Sequence, residues 1–284
     1  MKSIKTALVT GCTSGIGYAT CLLLARNSIM TYGTVRNLSK SEKIQKIIDN
    51  EKILLKIILL DVNNSKSISK AVQKILHHTG RIDILVNNAG YGMFGPIENI
   101  TIGNIKQQFE TNFFGAIRVI KSVVPIMRKQ GYGTIVNISS MVGRFGVPLN
   151  SAYVSSKFAI EGLSESISFE LEKFGIKVIV IEPGVVQTNF FNNLEVRGMD
   201  TKSPYHNLMK NRVHFLKRAM IDSTTSANQV AKTILHALNS NDPEFRYVVG
   251  IDAENCIDKR GSLSDRKFMK WVRDSIFHDK SFAR

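Results

Sequence analysis

Thr6-Ala7-Leu8-Val9-Thr10-Gly11-Cys12-Thr13-Ser14-Gly15-Ile16-Gly17 joins a short apolar run to a glycine-rich turn. Thr6 to Thr10 has the apolar, β-branched make-up of a strand, and Ile16 to Ala25 continues as a helix. Glycines permit a tight turn and let the backbone approach a ligand. The N-terminus of the helix that follows offers unpaired N–H donors and a favourable dipole for an anion. A plain strand-to-helix turn also uses glycine. The strand before and the helix after favour a phosphate cradle here, although the spacing is G-x-x-x-G-x-G rather than G-x-G-x-x-G.

Outward from this loop, short apolar runs alternate with longer helical patterns. Strands are expected at Thr31 to Val35, Leu54 to Leu60, Ile82 to Val86, Gly133 to Ile138 and Lys177 to Ile181. Helices are expected at Ile68 to His77, Ile105 to Arg128 and Tyr153 to Lys173. Strands that are apolar at consecutive positions suit a parallel sheet covered on both faces. The β-then-α order predicts an α/β fold of Rossmann type, a doubly wound parallel sheet flanked by helices, with ligands at the strands' carboxyl ends. Arg246 to Gly250 adds an edge strand. Phe268, Trp271, Val272, Ser275 and Ile276 share one face of a terminal amphipathic helix. No repeat or linker composition interrupts the chain, so 1–284 is read as a single domain.

The 284 residues are 43% apolar and 21% charged, which excludes wholesale disorder. Net charge is 38 − 23 = +15, a balance that raises a nucleic-acid or membrane-surface partner. The basic residues are spread along the chain and no nucleic-acid motif accompanies them, so no specific nucleic-acid partner is expected. Cys12, Cys21 and Cys256 are too few for a disulfide scaffold, which points to a reducing, cytoplasmic setting. No spacing suggests a metal site. The stretch Ile53 to Leu60 is interrupted by Lys56 and is too short to span a bilayer. The apolar run before Gly11 is too short for a signal peptide.

Further motifs follow the glycine loop in order: Asp61-Val62, Asn87-Asn88-Ala89-Gly90, Asn112, Ser140, Tyr153 with Lys157, and Pro183-Gly184 followed by Thr188. In these the chain resembles the classical short-chain dehydrogenase/reductase family. It looks most like the 17β-hydroxysteroid and retinol dehydrogenase-like group, from Lys5 to Thr188 and onward. The resemblance implies an enzyme that moves a hydride between a nicotinamide cofactor and a carbonyl or secondary alcohol. It implies a cofactor site built from Gly11, Thr13, Ser14, Gly15, Ile16 and Gly17, with Asp61 and Val62 at the adenine and Asn88, Ala89 and Gly90 alongside. Pro183, Gly184, Val186 and Thr188 would meet the nicotinamide. Asp61 could equally cap a helix, as could Asn63, Asn64 or Ser65. Pro183 and Gly184 could simply end a strand.

The end of the second strand bears on which cofactor. An acid there would bind the ribose 2′-hydroxyl of NAD, whereas an arginine accepts the 2′-phosphate of NADP. Arg36 stands there, and Tyr32 to Leu38 holds no acid, so NADP (NADPH) is expected. A solvated arginine at a strand end is the bland reading.

Tyr153 and Lys157 lie four apart on a helix and share a face. A nearby ammonium favours phenolate, which moves a phenol towards the working range of a general acid or base. The resemblance makes Tyr153 the proton donor. Lys157 becomes its partner and a ribose ligand, Ser140 the group that steadies the substrate oxygen, and Asn112 the holder of a relaying water. Ser139 is the rival of Ser140, and a kink is the rival role for Asn112.

By the same resemblance, about 188–220 forms a substrate lid and about 251–284 a C-terminal extension. Phe190, Phe191, Leu194, Met209, Phe215 and Leu216, interrupted by Asn192 and Asn193, suggest a bulky apolar substrate of steroid, retinoid or long-chain ketone type. Ordinary packing onto the sheet would use the same residues. The two long helices imply a homodimer or homotetramer. A non-catalytic NADP-sensing regulator is the alternative function, and the intact Asn112, Ser140, Tyr153 and Lys157 set argues against it.

Overall fold

A computed structural model describes residues 4–190 and 194–277. The expected lid residues Phe191, Asn192 and Asn193, and the extension beyond 277, lie outside the described residues.

The elements follow in chain order. First come β1 (Thr6–Val9), α1 (Gly15–Arg26), β2 (Met30–Val35), α2 (Glu42–Glu51), β3 (Leu55–Leu59), α3 (Ser65–Thr79) and β4 (Ile84–Asn87). Next are a two-residue strand β5 (Met93–Phe94), α4 (Ile102–Phe109), a π-helical turn (Glu110–Phe114), α5 (Gly115–Gln130), β6 (Gly133–Ile138), α6 (Ser151–Glu172) and β7 (Ile176–Pro183). A second short strand β8 (Glu195–Val196), α7 (His206–Asp222), α8 (Ala227–Asn239), β9 (Arg246–Val249), α9 (Ile251–Ser262) and α10 (Asp265–Phe277) complete them.

Seven strands form one parallel sheet in the order β3-β2-β1-β4-β6-β7-β9, and β5 pairs with β8 apart from it. The doubly wound expectation is met. The order reverses between β1 and β4, which opens a crevice at their carboxyl ends. Within β1, Ala7 and Val9 face a cluster with Leu24 of α1 and with Val230 and Ile234 of α8. Leu8 faces the opposite cluster with Val72 of α3 and Val119 of α5. Both faces are therefore buried, and this explains the uninterrupted apolar strands. Each such side chain taken from water contributes on the order of 2 kcal/mol.

The long helix expected at Ile105 to Arg128 is divided. A π-helical turn at Glu110–Phe114 separates α4 from α5 and carries Asn112. The Asn112 amide makes its hydrogen bonds outside the turn, to the Tyr91 backbone and Ser156. The helices α2, α8 and α9 and the β5–β8 pair had no counterpart in the sequence reading.

A third apolar cluster gathers Met141, Val142, Phe145 and Val154 with Phe215 of α7 and with Phe268, Val272 and Ile276 of α10. The terminal amphipathic helix is thus present and buries its apolar face.

Candidate active site

The crevice is a cleft of about 830 Å³. At its floor the glycine loop is tied on two sides. Gly11 N–H donates to Thr34 Oγ1 at 3.2 Å and Cys12 N–H to the Thr34 carbonyl at 3.0 Å. The Asn88 amide donates to the Thr10 and Gly11 carbonyls, both at 2.9 Å. Gly11 has φ +74° and Gly15 φ +59°, a region that favours glycine. A Cβ on Gly17 would stand 2.1 Å from the Gly11 carbonyl oxygen. Gly17 thus seats the helix under the loop, behind the cleft wall. Gly11, Thr13, Ser14, Gly15 and Ile16 line the cleft.

Ser14 occupies the N-cap of α1 without its side chain capping the helix, which leaves the N–H groups of the cleft-lining Gly15 and Ile16 without a side-chain cap. Thr188 stands over the loop, its Cβ 3.4 Å from where a Gly15 Cβ would be. Arg36, Asn37 and Lys40 line one end of the cleft together with Asp61 and Val62. Arg36 is exposed and forms no ion pair among the described residues. Asn64 caps α3, accepting from Ser67 N–H at 3.0 Å. Asp61 instead turns Oδ1 onto the Asn63 N–H at 3.0 Å. These features fit a phosphate-bearing dinucleotide: bare helix N–H donors, a glycine cradle and two cations at the far end.

Ser139, Ser140, Tyr153, Lys157, Asn150, Pro183 and Gly184 line the same cleft. Burial pushes the Tyr153 phenol up to about 12, with a hydrogen bond to Ser140 pulling the other way. Burial also brings the Lys157 ammonium down to about 8, against the field of Glu161 one turn on. Lys157 is 8% exposed, and its Nζ donates to the Ile138 carbonyl at 2.8 Å and sits 5.6 Å from the Tyr153 ring centre. The ammonium is expected from the sequence to favour phenolate, whereas burial is the largest effect at Tyr153 and the Ser140 hydrogen bond the one that opposes it.

Ser140 Oγ accepts from Val142 N–H at 3.3 Å and lies 3.5 Å from the Pro183 carbonyl. Its rival Ser139 also lines the cleft, with a buried hydroxyl that has no hydrogen-bond partner among the described residues. Asn112 stands behind the wall. Its Oδ1 accepts from Tyr91 N–H at 3.1 Å, and its Nδ2 donates to the Tyr91 carbonyl at 3.0 Å and to Ser156 Oγ at 3.2 Å. Ser156 in turn donates to the Tyr153 carbonyl at 2.7 Å. Ala89 and Gly90 line the cleft beside this network.

Three contributors escaped the sequence reading. Asp252, at the start of α9, accepts from Val185 N–H at 2.7 Å and packs on Gly184, fixing the Pro183–Val186 segment. Burial lifts its carboxyl above the usual range. Nothing local could reveal it, since 67 residues separate it from Val185. Lys40 lies four residues past Arg36, in a stretch between the second and third expected strands to which the sequence reading assigned no element. Arg212 lies on the stripe that Met209, Phe215, Leu216 and Ala219 define on α7, and a cation on an apolar stripe was the available signal.

Among the described residues, no helix is long and apolar enough to cross a membrane, and no His, Cys, Asp or Glu cluster could hold a metal. The family model for short chain dehydrogenase matches residues 5–197. Retinol dehydrogenase 8 of Homo sapiens is 33% identical over 91% of this chain and 87% of its own length. 17-beta-hydroxysteroid dehydrogenase type 1 of Homo sapiens is 32% identical over 84% of this chain and 76% of its own. The crystal structure of a short-chain dehydrogenase from Streptomyces avermitilis superposes with a TM-score of 0.83 at 29% identity, covering 96% of this chain and 98% of that one.

Proposed function

The chain belongs to the short-chain dehydrogenase family, an oxidoreductase family that works with a nicotinamide cofactor, and from that premise we propose that it is an NADP-dependent reductase or dehydrogenase of an elongated, largely apolar carbonyl or alcohol. The convergence of Tyr153, Ser140 and Lys157 on the cleft that the glycine loop floors carries this reading.

The chain would hold the dinucleotide with the α1 N–H groups, Thr13, Ser14, Asp61, Thr188 and Lys157, and its 2′-phosphate with Arg36 and Lys40. When bound, the nicotinamide supplies the hydride in reduction and takes it in oxidation. In reduction, the Tyr153 hydroxyl gives its proton to the substrate oxygen, and the Ser140 hydroxyl hydrogen-bonds the same oxygen. A phenolate left at Tyr153 is then a far stronger base than the neutral amine of Lys157. Proton return from the lysine side therefore runs downhill, from about 8 to about 12. Asn112 steadies this arrangement through Ser156 and the Tyr153 carbonyl.

The apolar wall of the cleft, and relatives named for retinol and a hydroxysteroid, support an apolar substrate body. A homo-oligomer belongs to the same reading, because Phe158 and Phe169 stand exposed on α6, the latter at 73%. Sedimentation of the intact protein measures this, and a monomer at micromolar concentration contradicts it. The three cysteines are free and buried, which supports a reducing compartment such as the cytoplasm.

The cofactor choice is tested by titrating NADPH and NADH against the intact protein, Arg36→Ala and Lys40→Ala. NADPH should bind at least tenfold tighter, since each cation lost from a phosphate is worth roughly 1–2 kcal/mol. Each variant should narrow the gap without weakening NADH. Equal or tighter NADH binding by the intact protein rejects the NADP assignment.

A further inference from the structure

Arg212, on α7, lines the cleft and is only 5% exposed. Its Nε and Nη1 have no hydrogen-bond partner among the described residues. Among the described residues its ring contact is Phe215, whose centre lies 5.0 Å from the guanidinium carbon. The acids on the cleft wall are committed elsewhere: Glu195 pairs with Arg197 at 2.9 Å, and Asp61 accepts from Asn63 at the cofactor end. Burial alone draws the guanidinium down, to about 10, with no acid acting on it. A buried cation without a counter-charge is costly, and a phenyl face offsets only part of that cost.

The cleft that Arg212 lines also carries the apolar side chains of Met141, Val142, Val147, Phe190, Leu194 and Leu216. Phe215 belongs to the apolar cluster that includes Val142 and touches Tyr153. One cleft thus holds Tyr153, a set of apolar side chains and, in Arg212, a buried cation with no acid paired to it among the described residues.

We propose that Arg212 binds a carboxylate on the substrate, so that the natural substrate is an oxo acid or hydroxy acid with an apolar chain between its reacting carbon and its acid group. One guanidinium balances one negative charge, which suits a monoanionic carboxylate better than a phosphate dianion in an apolar wall. This rests on the oxidoreductase reading for the reacting end and adds the recognition of the other end.

The test is equilibrium binding by calorimetry, with NADPH present, of straight-chain oxo acids of increasing length, each paired with its own methyl ester. The intact protein should bind the best acid roughly 10- to 100-fold tighter than its ester. Arg212→Met should erase that preference while leaving ester and NADPH affinity unchanged, and Arg212→Lys should keep part of it. No acid preference anywhere in the series overturns the proposal, as does a preference that survives Arg212→Met. A loss of NADPH affinity in Arg212→Met would instead give this side chain to the dinucleotide, and also overturns it. Should Arg212→Met fail to fold, the acid–ester comparison on the intact protein and on Arg212→Lys still decides. Turnover followed in parallel separates the two readings: acid-selective binding without turnover keeps the carboxylate site and removes the reductase.

Discussion

Lys157 and Tyr153 are both held away from their charged forms by burial, and each is useful for that reason. A fall of the Lys157 ammonium from its ordinary 10.5 to about 8 corresponds to roughly 3 kcal/mol withheld from the fold near neutral pH. Between about pH 8 and 10.5 the folded protein has released this proton and the unfolded chain has not, so stability rises with pH across that window. Lys157→Met removes the charge and also the donor to the Ile138 carbonyl, a loss of about 1 kcal/mol. The variant should therefore be more stable than the intact protein by roughly 2 kcal/mol below pH 8, and the advantage should shrink towards pH 10.5. Thermal melting of both proteins across this range checks it; an advantage that is flat with pH, or absent, contradicts it. The tyrosine–lysine pair was legible because i and i+4 on a helix is a local relation. Arg212 was passed over because its meaning depends on what surrounds it, and nothing near it in sequence shows that its donors go unpaired.

At the scale of elements, the crevice depends on segments that are remote in sequence. The Pro183–Val186 stretch ends β7, and Asp252 on α9 clamps it through the Val185 N–H. Asp252→Ala leaves that N–H without its acceptor, which costs about 1–3 kcal/mol. The melting temperature should fall and NADPH binding should weaken by several-fold, with Asp252→Asn in between. Unchanged NADPH affinity in Asp252→Ala, measured by fluorescence titration, would remove the clamp from the cofactor site. The glycine loop, the strands and α6 could be read from the chain because their signals are periodic and short in range. The break at Glu110–Phe114 could not, because an asparagine in a helical pattern gives the same signal whether the helix kinks, widens or continues. What selects the widened turn is the backbone of Tyr91, which takes both polar atoms of the Asn112 amide.

For the whole molecule, a parallel sheet buried on both faces leaves one crevice where the strand order reverses, and the described cleft lies there. The fold class was legible because consecutive apolar strand positions demand cover on two sides. The packing of α7 and α10 beside the cleft was only partly so. The apolar face of α10 was visible, but its burial against Phe145 and the Phe215 cluster is a tertiary fact. This architecture matters for chemistry only if a hydride crosses the cleft and Tyr153 supplies the accompanying proton. The direct measurement is the loss of NADPH absorbance in a single turnover, with intact protein and Tyr153→Phe each mixed with apolar oxo compounds. The intact protein should consume NADPH in proportion to the carbonyl reduced, and Tyr153→Phe should bind NADPH as tightly yet consume it about 10²–10⁴-fold more slowly. Tight NADPH binding with no consumption by the intact protein on any carbonyl, or full consumption by Tyr153→Phe, would contradict it.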